Sequence, residues 1–139
     1  MEPSTHASPS PRAFRRLLML AALTAWVACP AAAQDAAQFP SAAVRFLDGE
    51  LPRMENAVKE RDRDYFEEAM GRTIMFSEDW GFKTRANPAL APYRACTEAV
   101  SDFVIVGLCR LMPNGSECDA QLAPRFDGNL RECRQAAGR

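Results

Sequence analysis

The chain has 139 residues, of which 47% are hydrophobic and 25% are charged, and its formal net charge is −1 at pH 7. This length fits one ordinary globular domain. The near balance of 17 basic and 18 acidic residues leaves no excess of positive charge for nucleic acid or an anionic membrane face. We therefore expect no nucleic-acid partner.

The N-terminal segment has the three parts of a secretory signal peptide. A polar stretch ends in a basic cluster at residues 12–16, and an apolar run at residues 17–28 follows it. Ala31 and Ala33 then fill the two small-residue positions of an A-x-A cleavage site. The sequence predicts cleavage between Ala33 and Gln34, with residence in the periplasm or the secreted fraction.

The apolar run is too short for a membrane anchor. A helical span needs roughly 20 apolar residues, whereas this run has twelve before Cys29. We therefore expect no stable membrane span in the mature protein. Cys29 leaves open a lipid-anchored structural protein, although Trp26 stands where bacterial lipoprotein signals usually carry Leu.

Two regions follow from this cleavage site: a signal peptide at residues 1–33 and a single mature domain at residues 34–139. Cleavage removes three basic residues and one acidic residue, so 14 basic and 17 acidic residues remain and the net charge is −3. The chain's single histidine, His6, goes with the signal peptide. The mature domain thus lacks the usual general base and the commonest metal ligand, and we expect neither a cofactor nor a metal site.

The first helix is predicted from about Ser41 to Arg61. Apolar residues from Leu47 to Val58 recur there at spacings of four, three and four, which places them on one helix face. Pro52 interrupts this pattern. Because an interior proline costs a helix about 3 kcal/mol, we expect a kink or a break at that position.

The second helix is predicted from about Tyr65 to Asp79. Asp64 is a suitable N-cap, Glu67 completes a capping box three residues later, and Gly81 is a natural stop. The residues expected on or beside its buried face are Phe66, Ala69, Met70, Thr73, Ile74 and Trp80.

The third helix is predicted to begin near Pro92, with Cys96 and Val100 on its buried face. Residues 103–106 are apolar all round, so this helix should be the most deeply buried of the four. The same run is rich in β-branched residues, which leaves a strand as an alternative there. The chain then turns at residues 112–115.

The fourth helix is predicted to begin after Ser116, a plausible N-cap. Six residues then recur at helical spacing on one face: Cys118, Leu122, Phe126, Leu130, Cys133 and Ala137. Together these patterns predict an all-α fold, a small four-helix bundle.

Four cysteines remain after cleavage, and an even count in a small exported chain favours two disulfides. If Cys96 and Cys109 lie on one helix, they are roughly 20 Å apart, whereas a disulfide tolerates at most about 7 Å between Cα atoms. The same distance argument excludes a bond between Cys118 and Cys133.

An antiparallel hairpin of the last two helices decides between the remaining pairings. Facing residues then have a nearly constant sum of residue numbers, and only the nested pairing meets that condition. We therefore predict Cys96–Cys133 and Cys109–Cys118. Since Cys96 and Cys109 would point away from each other on an ideal helix, we expect a loosened last turn at Cys109, permitted by Gly107.

Two surface features could carry a function. The loop after the second helix combines two aromatic residues, Trp80 and Phe82, with two cations, Lys83 and Arg85, and such residues are typical of protein interfaces. They could equally close the core while the cations stay in solvent. The acidic residues at positions 62–68 could serve a hydrolase, although they alternate with arginines as in a solvated helix start.

These observations favour a non-catalytic, exported helical binding module that recognises another protein, such as an inhibitor, an immunity protein or an envelope accessory protein. The alternatives are a carboxylate-based envelope hydrolase and the lipid-anchored structural protein. A cleft that holds two carboxylates, one of them with a raised pKa, would favour the hydrolase.

Overall fold

A computed structural model of the chain describes residues 34–83, 87–112 and 118–138. Within these ranges the chain forms four α-helices and two short 3₁₀ segments. The predicted signal peptide lies outside the described residues. None of the described helices combines the length and the apolar character that a membrane crossing requires. The helices are α1 (Phe39–Glu60), α2 (Asp64–Trp80), α3 (Arg94–Leu111) and α4 (Leu122–Ala136).

Helix α1 is continuous through Pro52. The prediction there was a kink or a break, and the break is wrong. Pro52 lies on the exposed face of the helix, where solvent can hydrate the carbonyl that loses its backbone partner. The opposite face is fully buried at Phe39, Val44, Leu47 and Met54. This burial holds the helix together across the proline, because tertiary packing outweighs local propensity.

Helix α2 is capped by Asp62 and not, as predicted, by Asp64. The Asp62 Oδ1 atom accepts the backbone N–H groups of Asp64 at 3.0 Å and Tyr65 at 3.2 Å. Asp64 is itself the first helical residue, so its own N–H is one of the groups that need a cap. The predicted stop is confirmed, because Gly81 ends the helix with a φ of 69°.

Helix α3 is the centre of the bundle and contacts each of the other helices. Residues 103–106 are helical, so the strand alternative is wrong. Three of these four side chains are buried, but Ile105 is 46% exposed. Ile74 on α2, predicted beside the core, is also exposed, at 42%.

The predicted disulfides are confirmed. Cys96 and Cys133 have Cα atoms 4.7 Å apart, and the Cα atoms of Cys109 and Cys118 are 6.0 Å apart. This nested pairing makes α3 and α4 an antiparallel hairpin. The described part of the chain is thus an all-α bundle of four helices with its last two helices linked by disulfides.

The geometry at Cys109 differs from the prediction. Helix α3 continues to Leu111, so its last turn is not loosened. The bond forms because Cys118 precedes α4, which begins only at Leu122, and is therefore not tied to the face of that helix. The predicted cap, Ser116, lies outside the described residues.

Gly107 has a packing role instead. A Cβ atom at this position would lie 2.5 Å from Cε1 of Phe66 and 2.7 Å from Sδ of Met54. Both neighbours are buried, on α2 and α1 respectively. The glycine therefore lets α3 approach both helices closely, and one hydrophobic core results. Its buried members on α4 are Leu122, Phe126, Leu130 and Cys133.

Candidate binding cleft

An apolar stripe lies on the surface of the C-terminal half of α3. It consists of Ile105 and Leu108 of α3 and of Met112, the C-cap of that helix, and their spacing of three and four residues places them on one side of the helix. Their exposed fractions are 46%, 36% and 39%. Among the described residues, only Ile74 and Met75 are other large hydrophobic side chains with comparable exposure. The stripe thus concentrates most of the exposed large apolar side chains in one place.

The stripe forms one wall of an open cleft with a volume of about 700 Å³. Leu111, the Cys109–Cys118 disulfide and Leu122 of α4 also line it. Arg63, from the turn between α1 and α2, also lines the cleft. The residues that line the cleft are therefore largely apolar and come from three separate parts of the bundle.

Four charged side chains line the cleft, and three of them form a cluster in which one arginine is shared by two carboxylates. The Arg125 guanidinium lies 3.2 Å from the Asp102 carboxylate and 3.5 Å from that of Asp119. The hydrogen bond with Asp102 is the main reason why the pKa of Arg125 is raised. Arg63 is exposed and has no ion-pair partner among the described residues. With two arginines and two aspartates, the charged side chains that line the cleft have a formal net charge of zero.

The predicted aromatic face packs largely against the core. The ring centroids of Trp80 and Phe82 lie 5.1 Å and 5.6 Å from that of the fully buried Phe39. Lys83 is exposed, and Arg85 lies outside the described residues. None of the described members of this face lines the cleft.

A buried carboxylate joins α1 to α2. Glu50 is 6% exposed. Arg72 donates to its two oxygens from Nε at 2.7 Å and from Nη2 at 2.9 Å, and the Tyr65 hydroxyl donates at 2.9 Å. Arg53 donates a further hydrogen bond at 3.1 Å. Arg72 and Tyr65 link the carboxylate to α2, and Arg53 satisfies it from within α1. We therefore interpret this cluster as structural.

The electrostatics of Glu50 support that interpretation. Burial alone would raise the pKa of the Glu50 carboxyl. The hydrogen bonds from Arg72 and Tyr65, together with the charges of Arg72 and Arg53, outweigh burial and lower the pKa below its ordinary value of 4.5. A general acid at neutral pH needs the opposite shift. Glu50 therefore lacks the property that a hydrolase of this type would require.

The acidic residues at positions 62–68 also have local contacts. Asp62 caps α2, and Glu68 forms an exposed ion pair with Arg72 at 3.4 Å. Within the described ranges, no group of three potential metal-ligating side chains comes together. These contacts agree with the interpretation of this segment as a capped, solvated helix start.

Comparison of the chain with protein-family models, curated proteins and solved structures finds no match. The case for a function therefore depends on the cleft itself. Sequence reasoning missed this cleft because it interpreted residues 103–106 as buried on all sides. The sequence nevertheless contained a signal. Leu108 and Met112 follow Ile105 at spacings of three and four residues, so the three side chains share one helix face.

Proposed function

We propose that this protein is a non-catalytic, exported binding module that recognises another protein through the cleft beside α3. The observation that carries the proposal is the stripe of Ile105, Leu108 and Met112, which stays exposed along a cleft of about 700 Å³. Exposed apolar side chains that gather in one concave region are typical of interaction sites.

The framework around the cleft supports recognition by a preformed surface. The stripe lies on the central helix, and the Cys109–Cys118 bond fixes its end to the segment before α4. A rigid binding surface loses little conformational entropy when a partner binds. The cleft can therefore receive a partner without first being ordered.

Two sequence features support export. The N-terminal residues have the parts of a cleavable signal peptide, and the mature domain carries two disulfides. Structural disulfides persist in oxidising compartments such as the periplasm. We therefore place the partner in the same compartment or on the outer surface of the cell.

Site-specific photo-cross-linking tests the proposal. A benzophenone amino acid replaces Leu108 in the cleft or, as a matched control, Met75, which is 65% exposed but outside the cleft. The full chain is produced with its own N-terminal segment and irradiated after export. We expect a discrete adduct with one other protein from position 108 alone. Unlabelled wild-type protein should suppress that adduct, whereas the Leu108→Glu variant should not.

Three results would count against the proposal. The first is the same set of adducts from positions 108 and 75, which indicates non-specific contact. The second is an adduct only between two copies of this chain, which indicates self-association instead of a separate partner. The third is the absence of any adduct from position 108 when the oxidised protein is shown to be folded.

A further inference from the structure

We infer that Gln34 is a modification site: once the signal peptide is removed, this residue cyclises to pyroglutamate and blocks the N-terminus of the mature protein. The inference rests on the export that forms part of the proposed function, and it adds a covalent modification to the exported chain. It is carried by the residue that follows the A-x-A site and by the structure of the chain directly after it.

The first contacts of the described fold lie immediately after Gln34. Asp35 is the N-cap of a short 3₁₀ segment, and its carboxylate accepts the backbone N–H of Ala37 at 3.0 Å. Phe39, four residues beyond Asp35, is fully buried. A cut after Asp35 would remove the cap, whereas the predicted cut before Gln34 leaves it in place. The position of the cap therefore favours Gln34 as the first residue of the mature chain.

The chemistry needs only the two ends of this one residue. Gln34 is exposed and precedes the 3₁₀ segment, so its side chain is free of the core. At a free N-terminus the α-amino nitrogen attacks the side-chain amide carbon, Cδ. A C–N bond forms and closes a five-membered lactam, while the bond between Cδ and Nε2 breaks. Nε2 takes up the proton that the amine loses and leaves as ammonia, so no other reactant is consumed.

The attacking group is the neutral α-amine, and this sets when the reaction occurs. An α-amino group has an ordinary pKa of about 8, so part of the population carries the nucleophilic form at neutral pH. Mild alkali enlarges that part and should accelerate the cyclisation. In the precursor the same nitrogen belongs to the peptide bond with Ala33, where resonance removes its nucleophilicity. Cyclisation therefore follows cleavage and cannot precede it.

The modification would protect the start of the fold. Chain termini are preferred sites of proteolysis, and an aminopeptidase acts on a free α-amino group, which pyroglutamate lacks. Removal of two residues from an unblocked terminus would take away the Asp35 cap and leave Ala36, which packs against the core, at the cut end. The lactam therefore preserves the capped entry to α1.

Mass spectrometry and N-terminal sequencing of the exported protein provide the test. The full chain is produced with its own N-terminal segment, purified without reductant and incubated at neutral pH. We expect an intact mass for residues 34–139 that is lower by one ammonia, with the loss located in the N-terminal peptide. N-terminal sequencing should give no product, and a broad-specificity aminopeptidase should release no residue.

Gln34→Asn is the matched control. Asparagine keeps the primary amide but is one methylene shorter, so the corresponding ring would have four members and would be too strained to form. This variant should retain its ammonia, give a readable N-terminal sequence and be trimmed by the aminopeptidase.

A mature chain that begins at Gln34 and keeps its ammonia overturns the inference and leaves the proposed function intact. The same holds if Gln34→Asn loses ammonia from its N-terminal peptide as readily as wild type, or if cleavage exposes a different residue. A chain that remains uncleaved and is not exported overturns both the inference and the export on which the proposed function depends. The two failures are therefore distinguishable.

Discussion

Gly107 controls how closely the central helix approaches its neighbours. In Gly107→Ala, the new Cβ atom would meet Phe66 and Met54 at less than 3 Å. Because both side chains are buried, the core must shift, and we expect a loss of about 1–3 kcal/mol in the free energy of unfolding. Urea unfolding followed by circular dichroism measures the loss.

A second glycine supplies the control for that measurement. Gly71 lies within α2 with open space around its Cα, so an alanine there meets no atom within 4 Å. Gly71→Ala should be neutral or should stabilise the protein by up to about 1 kcal/mol, because alanine has the higher helix propensity. Equal effects at the two positions would show that α3 does not need this glycine for packing.

Glu50 links α1 to α2 through its contacts with Arg72 and Tyr65. Glu50→Gln removes the charge and one acceptor oxygen, and leaves part of the hydrogen-bonding capacity of Arg72 unsatisfied. We expect a loss of about 1–3 kcal/mol in the free energy of unfolding. Glu68→Gln is the control, because that pair with Arg72 is exposed, and its loss should stay below about 1 kcal/mol. Similar losses in both variants would contradict the structural role of Glu50.

The same carboxylate makes stability depend on pH. The pKa of Glu50 in the folded protein lies below 4.5, whereas in the unfolded chain it returns to its ordinary value. The ionised carboxylate therefore contributes its full stability above about pH 4.5 and loses it as the pH falls through the folded-state pKa. Urea unfolding at neutral pH and at about pH 3 should show the difference between wild type and Glu50→Gln shrinking at low pH. If the difference in the free energy of unfolding between wild type and Glu50→Gln were the same at both pH values, the lowered pKa of Glu50 would be contradicted.

Among the secondary-structure elements, α3 and α4 are joined by two disulfides with different environments. Cys96 and Cys133 are both fully buried. Cys109 and Cys118 are half-buried, and they line both the cleft and a smaller cavity of about 210 Å³. A thiol reductant can therefore reach the second bond without unfolding of the core.

Limited reduction tests this difference. With a low concentration of dithiothreitol and an alkylating mass tag, we expect Cys109 and Cys118 to be labelled first while Cys96 and Cys133 remain protected. Denaturant should remove the difference, because it exposes both bonds. Simultaneous labelling of all four cysteines in the folded protein would show that the buried bond is not protected by the core.

The elements that could be predicted from sequence are those that depend on local patterning. Helical periodicity and the antiparallel geometry were sufficient for the nested disulfide pairing. The predictions that are wrong concern features that depend on tertiary structure. The packing of α1 holds the helix through Pro52, and Asp62 caps α2 two residues before the predicted cap because of the conformation of the preceding turn.

For the molecule as a whole, the candidate site was harder to predict than the fold. The cleft brings together residues from the α1–α2 turn, α3 and α4, and no local pattern indicates that Arg63 lies near Leu108. The aromatic face was visible in sequence because Trp80 and Phe82 are neighbours, but both rings pack largely onto the core. Composition alone does not distinguish an aromatic that binds a partner from one that closes a small core.

The affinity of the cross-linked partner for two single variants tests the central claim most directly. Leu108→Glu places a charge inside the cleft, whereas Met75→Glu places the same charge on an exposed apolar position outside it. Both are surface substitutions, so both variants should fold. Calorimetric titration should show at least a tenfold weaker Kd for Leu108→Glu, the loss of a central apolar contact, and an unchanged Kd for Met75→Glu. Equal affinities for the two variants, or a loss confined to Met75→Glu, would contradict the assignment of the cleft as the binding site.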